Sequence, residues 1–325
     1  VVSACNAIGC IGSTPVAAIN KTTVQYLKAS SSSMKYLGFA TAISADGNTL
    51  AASGFDSSTT SSTNIYAAGT VYIFTRVASS WVQQSVIRPI NSDPSDAFGY
   101  RMAFSADGNT LAITAEYESS AARGINGDQT DNNATNSGAV YVYVRNGSTW
   151  NQQAFIKASD STASDCFGYS VALSSDGNTL AVGSVQRNRA YVFTRNGTSW
   201  SEQSVFVQPN WSPIYSTWFG NSIALSADGN TLAVGAWYDH NIIYDSGAVY
   251  VYTRSGTSWS QQAMIKSPSP GALDEFACSI SLSADGNTLA VGAAWEDSSA
   301  TNINGAYWDN SSTDSGAAYV YTRLG

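Results

Sequence analysis

Histidine occurs once in 325 residues, at position 240. Chemistry that needs an imidazole base, or two imidazole metal ligands, therefore has almost nothing to draw on. His240 is followed by Asn241-Ile242-Ile243, and no Gly-x-Ser-x-Gly elbow occurs anywhere, so no serine hydrolase arrangement is written here. Basic residues are scarce too: 15 Lys and Arg stand against 23 Asp and Glu, a net charge of −8. That balance argues against nucleic acid and anionic membrane surfaces, both of which need a basic patch. No apolar run approaches the length of a membrane span. Cysteine is limited to Cys5, Cys10, Cys166 and Cys278, none in a C-x-x-C pattern. An even count in an acidic chain rich in Ser, Thr and Asn fits an oxidising compartment. Cys5–Cys10 is the local choice for a disulfide, while Cys166 and Cys278 are left open between pairing with each other, tying down the N-terminal tail and staying free.

What is present is a repeat. Ser44-Ala45-Asp46-Gly47-Asn48-Thr49-Leu50 recurs at 105–111, 174–180, 226–232 and 283–289, with Asp-Gly-Asn-Thr-Leu unchanged each time. The aspartates at 46, 107, 176, 228 and 285 are 61, 69, 52 and 57 residues apart. A period of that size means an array of supersecondary units.

The shortest unit reads most easily. Ser170–Ser174 alternates as a strand, Asp176-Gly177-Asn178 makes a tight turn, and Thr179–Gly183 is a second strand. Ala190–Arg195 is a third strand, Asn196-Gly197 a hairpin turn, and Trp200 opens a fourth strand ending near Val207. Four short antiparallel strands make a propeller blade. No segment keeps a helical period, so no helix beyond a single turn is expected. Third strands recur at 70–76, 139–145, 248–254 and 317–323, and fourth strands open at Trp81, Trp150 and Trp259. Length varies between the second and third strands, which places all the long loops on one face, where repeat proteins bind.

The expected organisation is an N-terminal extension over 1–21 and a single all-β domain over 22–325, a five-bladed β-propeller. The fifth repeat ends after its third strand. Val24–Ser30 resembles Gln153–Ser159, the fourth strand of the second repeat, and is expected to close the ring by completing the last blade.

Phe98-Gly99, Phe167-Gly168 and Phe219-Gly220, with the weaker Leu37-Gly38 and Phe276-Ala277, resemble FG-GAP repeats. Gly235-Ala236, Gly292-Ala293 and Gly183-Ser184 stand for the second half of that motif, without its proline. The likeness runs over residues 22–323. FG-GAP repeats build the N-terminal β-propeller of integrin α chains and many bacterial surface proteins, so the resemblance implies a propeller doing binding or adhesive work on its loop faces. The family's calcium hairpin, Asp-x-Asp-x-Asp-Gly, is replaced here by Ser-x-Asp-Gly-Asn, with one carboxylate per repeat. Calcium takes six to eight oxygens, so those aspartates read as turn formers that cap their own backbone.

Each second strand except the third leads into an aromatic beside an acid: Phe55-Asp56, Tyr117-Glu118, Tyr238-Asp239 and Trp295-Glu296, where the third repeat has Gln186-Arg187. An aromatic plate next to a carboxylate suits a sugar face and its hydroxyls, so these eight are the candidate ligand-binding residues. The competing reading packs the ring on a neighbouring blade and leaves the acid in solvent. Two long loops, carrying Asp128 and Asp131, and Asp297 and Asp309, are dense in oxygen ligands; calcium is the metal they would suit, and backbone capping is the competing reading. Arg76, Arg145, Arg195, Arg254 and Arg323 close every third strand, 5 of the 15 basic residues. They are expected to make one repeated structural contact, to a neighbouring turn aspartate. The resulting expectation is a non-catalytic extracellular module, secreted or displayed at a cell surface, that binds a protein or glycan. A subunit of an extracellular assembly, a lectin and, distantly, a glycan-cleaving enzyme are the alternatives.

Overall fold

The computed structural model describes residues 5–6, 9–10, 24–56, 68–209, 216–240 and 243–324. Its architecture is antiparallel β throughout; the one helical element among the described residues is a 3-10 turn, Val185–Arg187. Two short strands, β1 (Cys5–Asn6) and β2 (Gly9–Cys10), pair with Cys5 opposite Cys10. The expected disulfide falls on side chains outside the described ones.

Five sheets follow in series. The first holds β3 (Met34–Lys35), β4 (Thr41–Ile43), β5 (Thr49–Asp56), β6 (Gly69–Val77) and β7 (Ser80–Ile87). The second holds β8 (Met102–Phe104), β9 (Thr110–Ala115), β10 (Ala139–Asn146) and β11 (Thr149–Ile156). The third holds β12 (Phe167–Leu173), β13 (Thr179–Ser184), β14 (Arg189–Asn196) and β15 (Ser199–Val207). The fourth holds β16 (Phe219–Leu225), β17 (Thr231–Ala236), β18 (Ala248–Ser255) and β19 (Ser258–Ile265). The fifth has three strands, β20 (Ser279–Leu282), β21 (Thr288–Ala293) and β22 (Ala317–Thr322). In the middle three sheets the strands pair in chain order, as expected of a meander.

The repeated heptad makes the turn between the first two strands of each sheet. Ser44 Oγ donates to Asp46 Oδ1, Asn48 N–H donates to the same oxygen, and Thr49 N–H donates to Ser44 Oγ. The same three bonds recur at Asp107, Asp176, Asp228 and Asp285. The aspartates are turn formers. Each turn also grips the next: Ala45, Ala106, Ser175 and Ala227 N–H donate to the carbonyls of Ala106, Ser175, Ala227 and Ala284.

Alternation along each third strand decides which core a side chain enters. Tyr141 and Tyr143 of β10 join the core shared with the first sheet; Val140 and Val142 join the core shared with the third. Further cores lie between the third and fourth sheets and the fourth and fifth. The FG phenylalanines seat these cores: Phe98, Phe167, Phe219 and Phe276 lie edge-on to Tyr141, Tyr191, Tyr250 and Tyr319 at 5.3, 5.4, 5.4 and 5.4 Å.

The recurrent arginine contact exists, with different acceptors from those expected. Arg254 Nη2 donates to Thr179 Oγ1 and Nη1 to Gln203 Oε1 of the preceding sheet, and Trp259 Nε1 donates to the same glutamine. Arg195, Trp200, Thr110 and Gln153 repeat the arrangement. The turn aspartates are already saturated by their own turns, so the guanidinium takes neutral acceptors one sheet back.

The expected closing strand is corrected. Residues 24–29 form no strand, and β22 pairs only with β21 among the described residues. The segment lies instead along the first sheet: Gln25 Oε1 accepts from Trp81 N–H, and Gln83 Oε1 accepts from Ser30 N–H. Leu27 and Ala29 pack against the cluster of Ala52, Tyr72 and Phe74.

Candidate functional site

The ends of the second strands and the starts of the first strands share one face. There the predicted aromatic–acid pairs come apart. Glu118 is 1% exposed, and Lys157, itself fully buried, donates from Nζ to Glu118 Oε2 and to Ser137 Oγ, each at 2.6 Å. Asp239 is fully buried and accepts from Lys266 Nζ at 2.8 Å, and from Tyr250 OH and Gln208 Nε2 at 2.7 Å. Glu296, 2% exposed, accepts from Ser298 N–H and Oγ. These acids are therefore not the sugar-hydroxyl acceptors expected: each pair lies in the turn that follows its strand, where the acid is buried and the aromatic beside it stays partly exposed. Phe55 is buried, and Asp56 has its side chain outside the described ones. Tyr117 and Tyr238 are half-buried, and Trp295 is 48% exposed.

The loop acids serve their own loops. Asp128 Oδ1 accepts from Thr130 N–H, Asp131 from Ala121 and Asn133 N–H, Asp309 from Ser311 N–H and Asp297 from Asp314 N–H. No group of three or more His, Cys, Asp or Glu placed to hold a metal ion occurs among the described residues. Cys166 and Cys278 are free thiols, and burial pushes the Cys166 thiol up to about 12.

What the face does assemble is a continuous aromatic track. Phe55 meets Phe39 at 4.9 Å, Phe39 meets Tyr100 at 5.8 Å, and Tyr100 meets Tyr169 at 5.9 Å. Tyr169 meets Trp218 at 5.6 Å, and Trp218 meets Trp237 at 5.2 Å and Tyr238 at 5.8 Å. The track crosses four sheets beside their innermost strands. Phe39, Tyr100 and Tyr169 each follow the glycine of an FG element, a recurrence visible in the sequence that the pair-based reading passed over. Trp218 instead precedes its FG, and only the structure places it in line.

Two orphan polar atoms lie at this track: Glu116 Oε2 and Trp237 Nε1 are buried without a hydrogen-bond partner. Burial pushes the Glu116 carboxyl up to about 7, against the opposing effects of Tyr117 and Arg101. Asp96, beneath the same face, is also raised to about 7 by burial. His240 is engaged elsewhere, 2.8 Å from Asp245 Oδ1 and stacked on Tyr244.

The family model of the FG-GAP repeat matches residues 150–207, 215–252 and 259–321. No curated protein matches the chain. Among solved structures, a candidate 6-phosphogluconolactonase from Bacteroides uniformis ATCC 8492 aligns with a TM-score of 0.49 and 12% identity, over 80% of this chain and 65% of that one. A candidate 6-phosphogluconolactonase from Bacteroides fragilis NCTC 9343 aligns at 0.48 and 11%, over 79% of this chain and 64% of that one. The chain thus spans just under two thirds of the length of either structure.

Proposed function

This chain is an FG-GAP repeat protein, and from that premise we propose that its five sheets are the blades of a propeller arc serving as a non-catalytic, extracellular binding module. The aromatic track from Phe39 to Tyr238 is the ligand surface. The observation that supports the reading is the unbroken ring-to-ring contact across four sheets, beside two unsatisfied polar atoms. Rings held tilted or edge-on to one another present apolar surface at low entropic cost, and Glu116 Oε2 and the Trp237 indole N–H, both without a hydrogen-bond partner, supply orientation. That combination suits the apolar face of a sugar and its hydroxyls. Surface display fits the oxygen-rich, weakly charged composition.

A glycan array probed with the intact chain, beside Tyr169→Ala and Trp218→Ala, tests this. Specific binding lost in both variants with melting intact supports the reading. Binding retained in both, or no glycan bound at all, removes it.

A further inference from the structure

The residue before each FG element takes a left-handed backbone: Tyr36, Ala97, Cys166, Trp218 and Glu275 lie at φ 56°, 57°, 51°, 55° and 51°. That conformation suits glycine, yet none of the five is glycine. The packed FG residue that follows fixes the backbone, and the side chain before it is left to vary. At this position Trp218 carries the aromatic track from Tyr169 to Tyr238. One repeat later the position holds Glu275. The half-buried Glu275 carboxylate is hydrogen-bonded by the side chains of Trp295 and Tyr238. The track therefore does not stop at Tyr238; it passes through a carboxylate held between two rings and reaches Trp295.

The polar atoms along this end are mostly acceptors. Asn221 stands where earlier repeats have Phe39, Tyr100 and Tyr169, and is 7% exposed. Its Nδ2 donates to the Ala277 carbonyl at 2.9 Å, which fixes the amide and leaves Oδ1 buried without a partner. Its N–H donates to the Trp218 carbonyl, so Asn221 is tied both to the track and to the segment that carries Glu275. Glu116 Oε2 is a second buried orphan; burial pushes that carboxyl up to about 7, and a neighbouring cation favours its ionised form. Trp237 Nε1 is the one orphan donor beside them. Asp245, close to Glu275 and Tyr238, adds negative charge and is met by His240. Lys157 and Lys266 are committed to Glu118 and Asp239. Arg101 lies over the Tyr100 ring at 4.4 Å and donates to the Tyr100 carbonyl. A hydroxyl brings one donor together with two lone pairs. An ammonium brings three donors, no acceptor and a charge that aromatic faces attract.

We propose that the track binds a glycan of free amino sugars, with an ammonium held by Glu275 between Tyr238 and Trp295 and the sugar rings lying along Trp218 and Tyr169 towards Glu116. The inference rests on the glycan-binding reading and narrows it to a basic glycan. The chain's net charge of −8 draws such a polymer in and repels an acidic one.

The probes are the hexamers of glucosamine, N-acetylglucosamine and glucose, titrated calorimetrically in mildly acidic buffer, where the free amines are charged. The glucosamine hexamer should bind more tightly than either neutral one by about tenfold or more, the size of one charge-assisted contact. Glu275→Gln should erase that preference while melting like the parent. In the native chain the preference should also shrink as salt is added, a readout that needs no variant to fold. Equal binding of all three hexamers overturns the proposal, and if that binding is lost in Tyr169→Ala the track remains a glycan site without charge selection. A preference that survives Glu275→Gln, or that ignores salt, overturns it as well. Binding of none of the three removes this proposal together with the glycan reading.

Discussion

Lys157 Nζ lies 2.6 Å from Glu118 Oε2, with both side chains at 1% exposure or less. The pair links the end of β11 to the loop after β9 and holds that loop on the sheet. Burial lowers the Lys157 pKa, and the charge and hydrogen bond of Glu118 oppose that shift. Removing one partner strands the other: Lys157→Met should cost about 3–5 kcal/mol in chemical denaturation. Lys157→Met with Glu118→Leu should recover part of that loss. A single variant as stable as the parent would show that water replaces the partner.

The sheet-to-sheet turns give a second test. Gly47 and Gly229 both sit at φ +68°, so alanine at either costs on the order of 1–2 kcal/mol for the backbone alone. Gly229→Ala adds a Cβ 2.7 Å from Thr179 Oγ1; Gly47→Ala adds one in open space. Chemical denaturation should find Gly229→Ala the more damaging. Equal losses would mean the sheets part easily at the turns.

Stability should pass through a maximum between roughly pH 4 and 6. At Asp46 and Asp285 the serine hydroxyl, then the asparagine N–H groups, hold the carboxyl below its usual range. A depressed carboxyl stabilises above its unfolded value and loses that contribution as pH falls through its folded value, here below about 4. Glu116 and Asp96 act oppositely: both are raised to about 7, so ionisation costs stability as pH rises from about 4 towards 7. Glu116→Gln should flatten the neutral limb by on the order of 2–3 kcal/mol. Melting scans from pH 3 to 8 decide it; an unchanged slope between pH 5 and 7 would place the Glu116 charge in solvent.

The track predicts a split between binding and folding. Tyr169→Ala and Trp218→Ala remove half-buried rings from a surface row, so each should melt close to the parent, within roughly 1–2 kcal/mol, while losing ligand. Phe167→Ala, two residues before Tyr169 but fully buried, should cost about 3–5 kcal/mol. If all three lose comparable stability, the row is core and not a surface.

Local spacing was enough to determine the repeat, the strands, the Asp-Gly-Asn turns and the face that carries the long loops. Each depends on residues a few positions apart: Ser174 caps Thr179, and Asp176 holds Asn178. Tertiary structure decided what spacing cannot encode. Tyr117 and Glu118 are neighbours in sequence, yet one stays partly exposed at the face and the other is buried against Lys157, because both lie in the turn after β9, whose course is set by the packing of the loop on its sheet. The aromatic track is built from residues 39 to 238, brought into line only when four sheets pack. Val24–Ser30 reads as an outer strand in sequence, but which sheet it completes depends on where the fifth sheet comes to rest, a distance accumulated over four interfaces and visible in no single repeat.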